Sequence, residues 1–207
     1  MTVPEQLRVR RHPERGQYDR ESIDAILDEA LICHAGFVVD GQPYVIPTIH
    51  ARSGDVLYLH GSTASRMLRT LGEGVDMCVT VTLLDGLVLA RSVYNHSMNY
   101  RSVVVLGRAR DVTGAAEKLA ALEAIVEHVV PGRWADARLP TRKELKATSV
   151  LALGLGEASA KVRTGPPGDF DEDLELPIWA GVIPLGLVAG AAESATNGLP
   201  LPRYLRD

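Results

Sequence analysis

The sequence predicts a mainly β fold: one antiparallel barrel dressed with peripheral helices. Three observations carry this. Short apolar runs of strand length recur with turn dipeptides between them, helical periodicity is confined to a few segments, and no repeat or linker divides the 207 residues. The domain therefore spans the whole chain, with an extended arm at about 1–18 and a tail at about 189–207.

The arm is charged and contains Pro13 and Gly16. A helix follows, with Asp19 as N-cap and Ile23, Ile26, Leu27, Ala30 and Leu31 on one apolar face. Strands are expected at Phe37–Val39, Tyr44–His50 and Val56–His60, with turns at Asp40-Gly41 and Ser53-Gly54-Asp55. A short helix at Ser65–Leu71 ends at Gly72. Strands resume at Val75–Leu83 and Leu87–Arg91, with Asp85-Gly86 as the turn between them, and at Arg101–Val112. Gly114–Val130 is the clearest helix, with a stripe of Leu119, Leu122, Ile125, Val126 and Val129 and a stop at Pro131-Gly132. Thr141–Ala147 reads as a helix opened by a capping box with Glu144. Val150–Val162 and Trp179–Val188 supply the last strands, separated by an acidic Pro/Gly-rich loop from Thr164 to Asp173.

Composition narrows the function classes. A hydrophobic content of 46% with 23% charged residues describes an ordinary soluble globular protein. A formal charge of -4 argues against a nucleic-acid binder, which shows a basic face. No apolar stretch reaches the length of a membrane span, and the N-terminus lacks the basic-then-apolar order of a secretory signal, so a cytoplasmic protein is expected. Cys33 and Cys78 form no disulfide framework and no metal spacing; both read as small buried hydrophobes. The histidines are scattered, which disfavours a structural zinc, and there is no Gly-x-Ser-x-Gly elbow of a hydrolase.

Two segments carry chemistry. His60-Gly61-Ser62-Thr63-Ala64-Ser65-Arg66 puts hydroxyls, backbone N–H groups and a fixed positive charge where a strand gives way to a helix, a setting that suits a phosphate. Ser97-Met98-Asn99-Tyr100-Arg101-Ser102 brings donors to the start of an apolar strand, and with His96 is expected to line a cofactor groove. His50 and Thr48 share a strand face by period-two alternation, and Lys161 and Arg163 alternate on a late strand, where their charge matches an anionic cofactor or substrate. Together these suggest a phosphorylated cofactor laid across a sheet.

In order along the chain, Glu14-Arg15-Gly16-Gln17-Tyr18-Asp19, Pro43-Tyr44-Val45-Ile46-Pro47-Thr48, His60 to Arg66, Asp85-Gly86-Leu87-Val88-Leu89-Ala90-Arg91, Asn99-Tyr100-Arg101-Ser102-Val103, Ala160-Lys161-Val162-Arg163-Thr164-Gly165 and Trp179-Ala180-Gly181-Val182 resemble the FMN-binding split-barrel superfamily of pyridoxamine 5′-phosphate oxidase. The nearest likeness is to its flavin-nucleotide-binding branch, related to nitroimidazole-resistance reductases. The resemblance implies a six-stranded antiparallel Greek-key split barrel and a homodimer with FMN between the subunits. FAD, a deazaflavin and haem are the alternative cofactors.

It also implies roles. Ser65 and Arg66 match the oxidases' Ser-Arg-Lys phosphate grip, with Met67 replacing the Lys. Val45, Ile46, Pro47, Thr48 and His50 match the strand along the isoalloxazine ring, and Arg101-Ser102-Val103 matches the Arg-Gln-Val whose Gln reaches the flavin across the interface. His60 holds the place of a histidine beside the flavin in the nitroimidazole-resistance proteins. From these come the expected cofactor contacts: Val45, Ile46, Pro47, Thr48, His50, His60, Gly61, Ser62, Ser65, Arg66, Asn99, Tyr100, Arg101, Ser102 and Lys161. His60, whose ordinary pKa lies near neutrality, is the expected catalytic acid. The implied activity is transfer of electrons from a reduced nicotinamide to a small organic acceptor; a non-catalytic flavin or haem module on the same fold is the alternative. The oxidases' terminal Arg-x-His segment is missing, so vitamin B6 oxidation is not expected.

Overall fold

Alternation and turn chemistry place the strands. The computed structural model describes residues 4–195 and 198–205. In chain order it contains β1 (Gly16–Gln17), α1 (Arg20–Glu29), β2 (Ile32–Val39), β3 (Gln42–Ser53), β4 (Val56–Ser62), α2 (Arg66–Gly72), β5 (Asp76–Leu89), β6 (Ser97–Arg108) and β7 (Arg110–Asp111). These are followed by α3 (Ala115–Val129), α4 (Arg133–Asp136), α5 (Arg142–Ala147), β8 (Thr148–Gly154), β9 (Ala158–Arg163) and β10 (Gly181–Pro184).

The sheet follows the order β1-β9-β6-β5-β2-β3-β4-β8-β7, with β10 added to the end of β5, and every pairing is antiparallel. The chain is thus mainly β as expected, but with ten strands rather than six, and the path does not close on itself. β3 joins the two halves: residues 42–49 pair with β2 and residues 50–53 with β4. The β2–β3 turn needs two left-handed residues, and Asp40 and Gly41 supply them with φ of 50° and 79°.

Two caps fall where the sequence put them, and Ser65, expected inside its helix, caps it instead. Asp19 Oδ1 accepts from Ser22 N at 2.8 Å and Ser65 Oγ from Leu68 N at 3.5 Å, while Thr141 and Glu144 form the reciprocal box. The main core gathers Ile23, Ile26 and Leu27 of α1, Leu68 and Leu71 of α2, and the inward residues of the sheet, such as Leu59, Val79, Val103 and Leu151. A smaller cluster of Val112, Ala121, Val150 and Ala152 lies under α3.

Several expectations are corrected. Asp85-Gly86 is not a turn. Pairing with β6 continues on both sides, from Leu84 with Tyr100 to Gly86 with Asn99, so the extra residue makes a bulge inside one long strand. Glycine suits this position because a Cβ would lie 3.0 Å from the Ile183 carbonyl oxygen and from Val182 Cγ1. The expected single strand at 150–162 is two, since β8 pairs with β4 while β9 pairs with β6 and β1. The last strand shrinks to Gly181–Pro184, matching the short end of β5 it covers. Ser97–Tyr100, expected in a loop, already belongs to β6.

The arm is not merely extended: Leu7 is buried, β1 pairs with β9, and Val9 N donates to Tyr18 Oη at 2.9 Å. Leu31 lies beyond the end of α1 and is exposed. On α3 only Ala121 and Ile125 are fully buried, because that helix covers the smaller cluster. Residues 1–3 of the arm and 196, 197, 206 and 207 of the tail lie outside the described residues. No helix among the described residues is long and apolar enough to cross a membrane.

Leu151 has no exposed surface and sits in the main core. Leu151→Ala should cost about 2–5 kcal/mol of stability through lost burial plus a residual cavity, read as a lowered urea midpoint at unchanged slope.

Candidate functional site

The same alternation that fills the core leaves the other side of the sheet bare. Cys33, Ala35, Phe37, Met77, Val79, Val81, Val103 and Val105 point inward. Their neighbours point outward and form one continuous face, which the register lays out in rows. One row runs Pro47, His34, Thr80, Val104; the next runs Thr82, Ser102, Lys161; a third pairs Leu84, Tyr100 and Arg163. The rim is apolar and open: Val45 is 67% exposed, Ile32 54% and Val38 52%. Its middle is polar, with hydroxyls, an imidazole and an ammonium within a few strands.

The structure therefore divides the expected cofactor strand. Val45 and Pro47 lie on the outward face with Tyr100, Ser102 and Lys161. Ile46, Thr48 and His50 alternate to the other side, where Ile46 packs against the main core. His50 is completely buried, and its Nε2 donates to the Leu27 carbonyl at 3.0 Å. His128 on α3 does the same to the Ala30 carbonyl at 2.9 Å, and the two rings lie 5.2 Å apart. Both imidazoles thus satisfy carbonyls at the C-terminal end of α1.

The polar start of β6 also divides. Asn99 is buried and holds Arg163: its Oδ1 accepts from Arg163 Nη1, and its Nδ2 donates to the Gly165 carbonyl at 3.1 Å. Arg163 further donates to the Pro166 carbonyl at 3.2 Å, so this buried guanidinium pins the turn after β9 and has no carboxylate partner among the described residues. Burial lowers its pKa, and the nearby Arg15 pushes the same way. Arg101 is gripped by Asp85 from the bulge and by Glu29 from α1. Their hydrogen bonds raise its pKa, with Glu29 the stronger contributor. Ser102 Oγ donates to the Lys161 carbonyl at 3.2 Å, and His96 Nδ1 accepts from Ala90 N at 3.2 Å.

At the β4–α2 junction the guanidinium of Arg66 lies 4.4 Å from the centroid of the Tyr44 ring, which is itself stacked on Phe37 at 5.6 Å. Arg66 is exposed and has no ion pair among the described residues, so its N–H edge is free for an anion. Ser62 Oγ accepts from Ala64 N at 3.1 Å, and Ser65 caps α2. Gly61 is half-buried, and a Cβ there would meet Leu68 Cδ1 at 3.0 Å.

His60 pairs with Val150, so it shares the strand face of Tyr58 that packs under α3. Its Nδ1 is buried without a partner, and burial lowers its pKa. His34, Thr80, Thr82 and the Tyr44 platform escaped the sequence reading. Period-two counting along β2 and β5, once the strands were paired, is the signal that could have found them. Cys33 is a buried thiol pushed up to about 12 by desolvation, and Cys78 is half-buried with its pKa raised for the same reason.

Comparison with known proteins decides the family. The profile described as pyridoxamine 5′-phosphate oxidase matches residues 19–162. The chain belongs to the pyridoxamine 5′-phosphate oxidase-like family. It is similar to the flavocytochrome Anf3 from Azotobacter vinelandii, with 42% identity, coverage of 97% of this chain and 95% of that one, and a TM-score of 0.91. It is also similar to an FAD and haem binding protein from Mycobacterium smegmatis, with 41% identity, coverage of 93% and 96%, and a TM-score of 0.89. A 5-nitroimidazole antibiotic resistance protein from Bacteroides thetaiotaomicron shares the fold at 24% identity and a TM-score of 0.58, over 71% of this chain and 86% of that one. Comparison with curated protein sequences gives no match.

The buried imidazole of His50 makes stability depend on pH. Burial, the larger cause, and the neighbouring His128 hold its folded pKa below the ordinary 6.5. The unfolded chain then binds the extra proton more readily, so this stability is present above pH ~6.5 and is lost as pH falls through the folded value. The urea midpoint should drop from pH 7.5 to pH 5.5, and His50→Gln should flatten that slope while lowering the midpoint at neutral pH.

Proposed function

We propose that the protein binds a flavin nucleotide together with haem and works as a redox protein of the flavocytochrome kind. One observation carries the reading. The two near-full-length relatives above 40% identity are a flavocytochrome and an FAD and haem binding protein. The second of these favours FAD over FMN here. Electrons would enter from a reduced nicotinamide and leave to a small organic acceptor, with the chemistry supplied by the cofactors and the binding and orientation by the chain.

The residues fit a flavin. Arg66, braced on Tyr44, has no ion pair among the described residues, and Ser62 and Ser65 precede it in the same segment, a combination that suits a phosphate. The outward face offers Val45, Pro47 and Tyr100 as apolar contacts for a flat ring, with Ser102 and Lys161 as polar ones. A face this apolar also suits a second copy of the chain, and a homodimer would bury it on both protomers and complete each site from two chains.

The residues fit haem as well. Four of the six histidines are engaged: His12 with Glu14, His50 and His128 with carbonyls, and His96 with a backbone N–H. His34 and His60 make no hydrogen bond among the described residues, and a neutral imidazole is the usual haem ligand. Desolvation keeps His60 neutral at pH 7, which suits ligation better than proton donation at that pH.

The deciding experiment is an absorption spectrum of the purified protein, followed by mass identification of what denaturation releases. Flavin bands with a Soret band, bleached by NADPH and restored by an acceptor, are expected. Colourless protein that takes up neither group on reconstitution overturns the reading. Flavin that no nicotinamide reduces would leave a non-catalytic store.

Arg66→Ala should weaken flavin binding roughly ten- to hundredfold, the value of a charge-assisted phosphate contact, while Arg69→Ala on the same helix leaves it nearly unchanged. Flavin titration by fluorescence quenching reads both, and equal losses would place the phosphate elsewhere. Replacing His34 or His60 by Ala should abolish the Soret band in one variant and spare the flavin bands in both.

A further inference from the structure

A cavity of about 850 Å³ opens at the margin of the outward face, between the end of α1, the bulge of β5 and the chain after β10. Leu31, Ile32, Leu83, Leu84, Leu185 and Leu187 give it apolar walls. Its charged groups are Glu29, Asp85 and Arg101. The backbone holds the roof in place, since Leu185 N donates to the Asp85 carbonyl at 3.0 Å.

The hydrogen-bond accounting gives this cavity a definite chemistry. Arg101 donates from Nε to Asp85 Oδ2 at 3.0 Å, from Nη2 to Asp85 Oδ1 at 2.8 Å and to Glu29 Oε1 at 2.7 Å, and from Nη1 to Glu29 Oε2. Both carboxylates thus take the guanidinium bidentately, which leaves it almost no capacity for a ligand. Each carboxylate oxygen keeps a further lone pair. Two negative groups against one positive leave a net charge of one negative unit. Glu29 stays ionised, because the hydrogen bond from Arg101 holds it below the usual carboxylate range. An apolar cup that offers acceptors and negative charge is complementary to an apolar ligand that brings donors and positive charge. It disfavours phosphates and carboxylates.

We propose that this cavity binds a flat, cationic aromatic amine or protonated N-heterocycle, seated on the leucines with its N–H groups toward Glu29 and Asp85. The cavity borders the face given to the flavin ring, sharing Ile32, Thr82 and Leu84 with it, but the inference needs no cofactor and uses none of the phosphate-binding residues.

Two fluorescent probes of opposite charge test it on the full-length protein as purified: cationic 9-aminoacridine and anionic 1-anilinonaphthalene-8-sulfonate. The cation is expected to bind at one site per chain, and the anion more weakly. Glu29→Gln should weaken 9-aminoacridine roughly three- to tenfold, a modest factor because these side chains are partly exposed. Arg101→Met, which makes the site more negative, should tighten it by a similar factor. These opposite signs cannot both come from loosened packing, and a circular dichroism melt of each variant checks the fold. Leu84→Arg, which brings a positive charge to the apolar wall, should abolish binding. Stronger binding of the anion by the unaltered protein overturns the proposal. So does cation binding that ignores Glu29→Gln and Arg101→Met, or that survives Leu84→Arg. Flavin absorbance recorded on the same samples separates a failure here from a failure of the flavin reading.

Discussion

The pairing of β5 with both β2 and β6 is the constraint on which the rest of the structure depends. This strand lies in the middle of the sheet path and is the longest in the chain. Met77, Val79 and Val81 drive inward to the main core, while Cys78, Thr80 and Thr82 point outward. Once the pairing is set, a slip of one residue would exchange the two sets and bury hydroxyls in place of valines. Core and outward face are therefore two readings of one register. The bulge at Asp85 follows from the same strand, because the extra residue delivers a carboxylate to Arg101 and leaves the strand end free to receive β10.

Local chemistry was legible where one residue decides the outcome. Asp19 and the Thr141–Glu144 pair declared their helix starts, because a side-chain acceptor three residues before an amide is visible in sequence. Asp40-Gly41 declared its hairpin. The same dipeptide logic failed at Asp85-Gly86, where the glycine answers close approach by Val182 and Ile183 rather than a reversal of the chain. Nothing near residue 86 in sequence announces a strand that arrives almost a hundred residues later. The boundary between β8 and β9 was hidden for a related reason: an apolar run reads as one strand until its two ends are seen to pair with different partners.

The candidate site shows a similar division. Resemblance pointed to whole stretches, and alternation within each stretch sorts their residues onto different faces. Val45 and Pro47 face outward while His50 is consumed at the end of α1. Lys161 faces the sheet surface while its near neighbour Arg163 is locked onto Asn99 and two carbonyls. A conspicuous polar residue is thus as readily a structural fastener as a ligand contact. Arg101 illustrates this most directly, since two carboxylates already hold the guanidinium that the motif offered to a cofactor.

Gly86 gives the molecule a point of intolerance. At the hairpin glycines Gly41 and Gly54 no heavy atom would meet an added Cβ, and it is their positive φ that favours glycine. At Gly86 a single methyl would press on the backbone of the returning strand. β10 would have to give by a few tenths of an ångström there, next to the hydrogen bond that ties Leu185 to Asp85. One missing side chain thereby lets the returning strand sit close against β5. A lineage that carries this fold can recolour its hairpins within the limits that their left-handed positions set, while glycine here preserves the tail's close seat on the sheet.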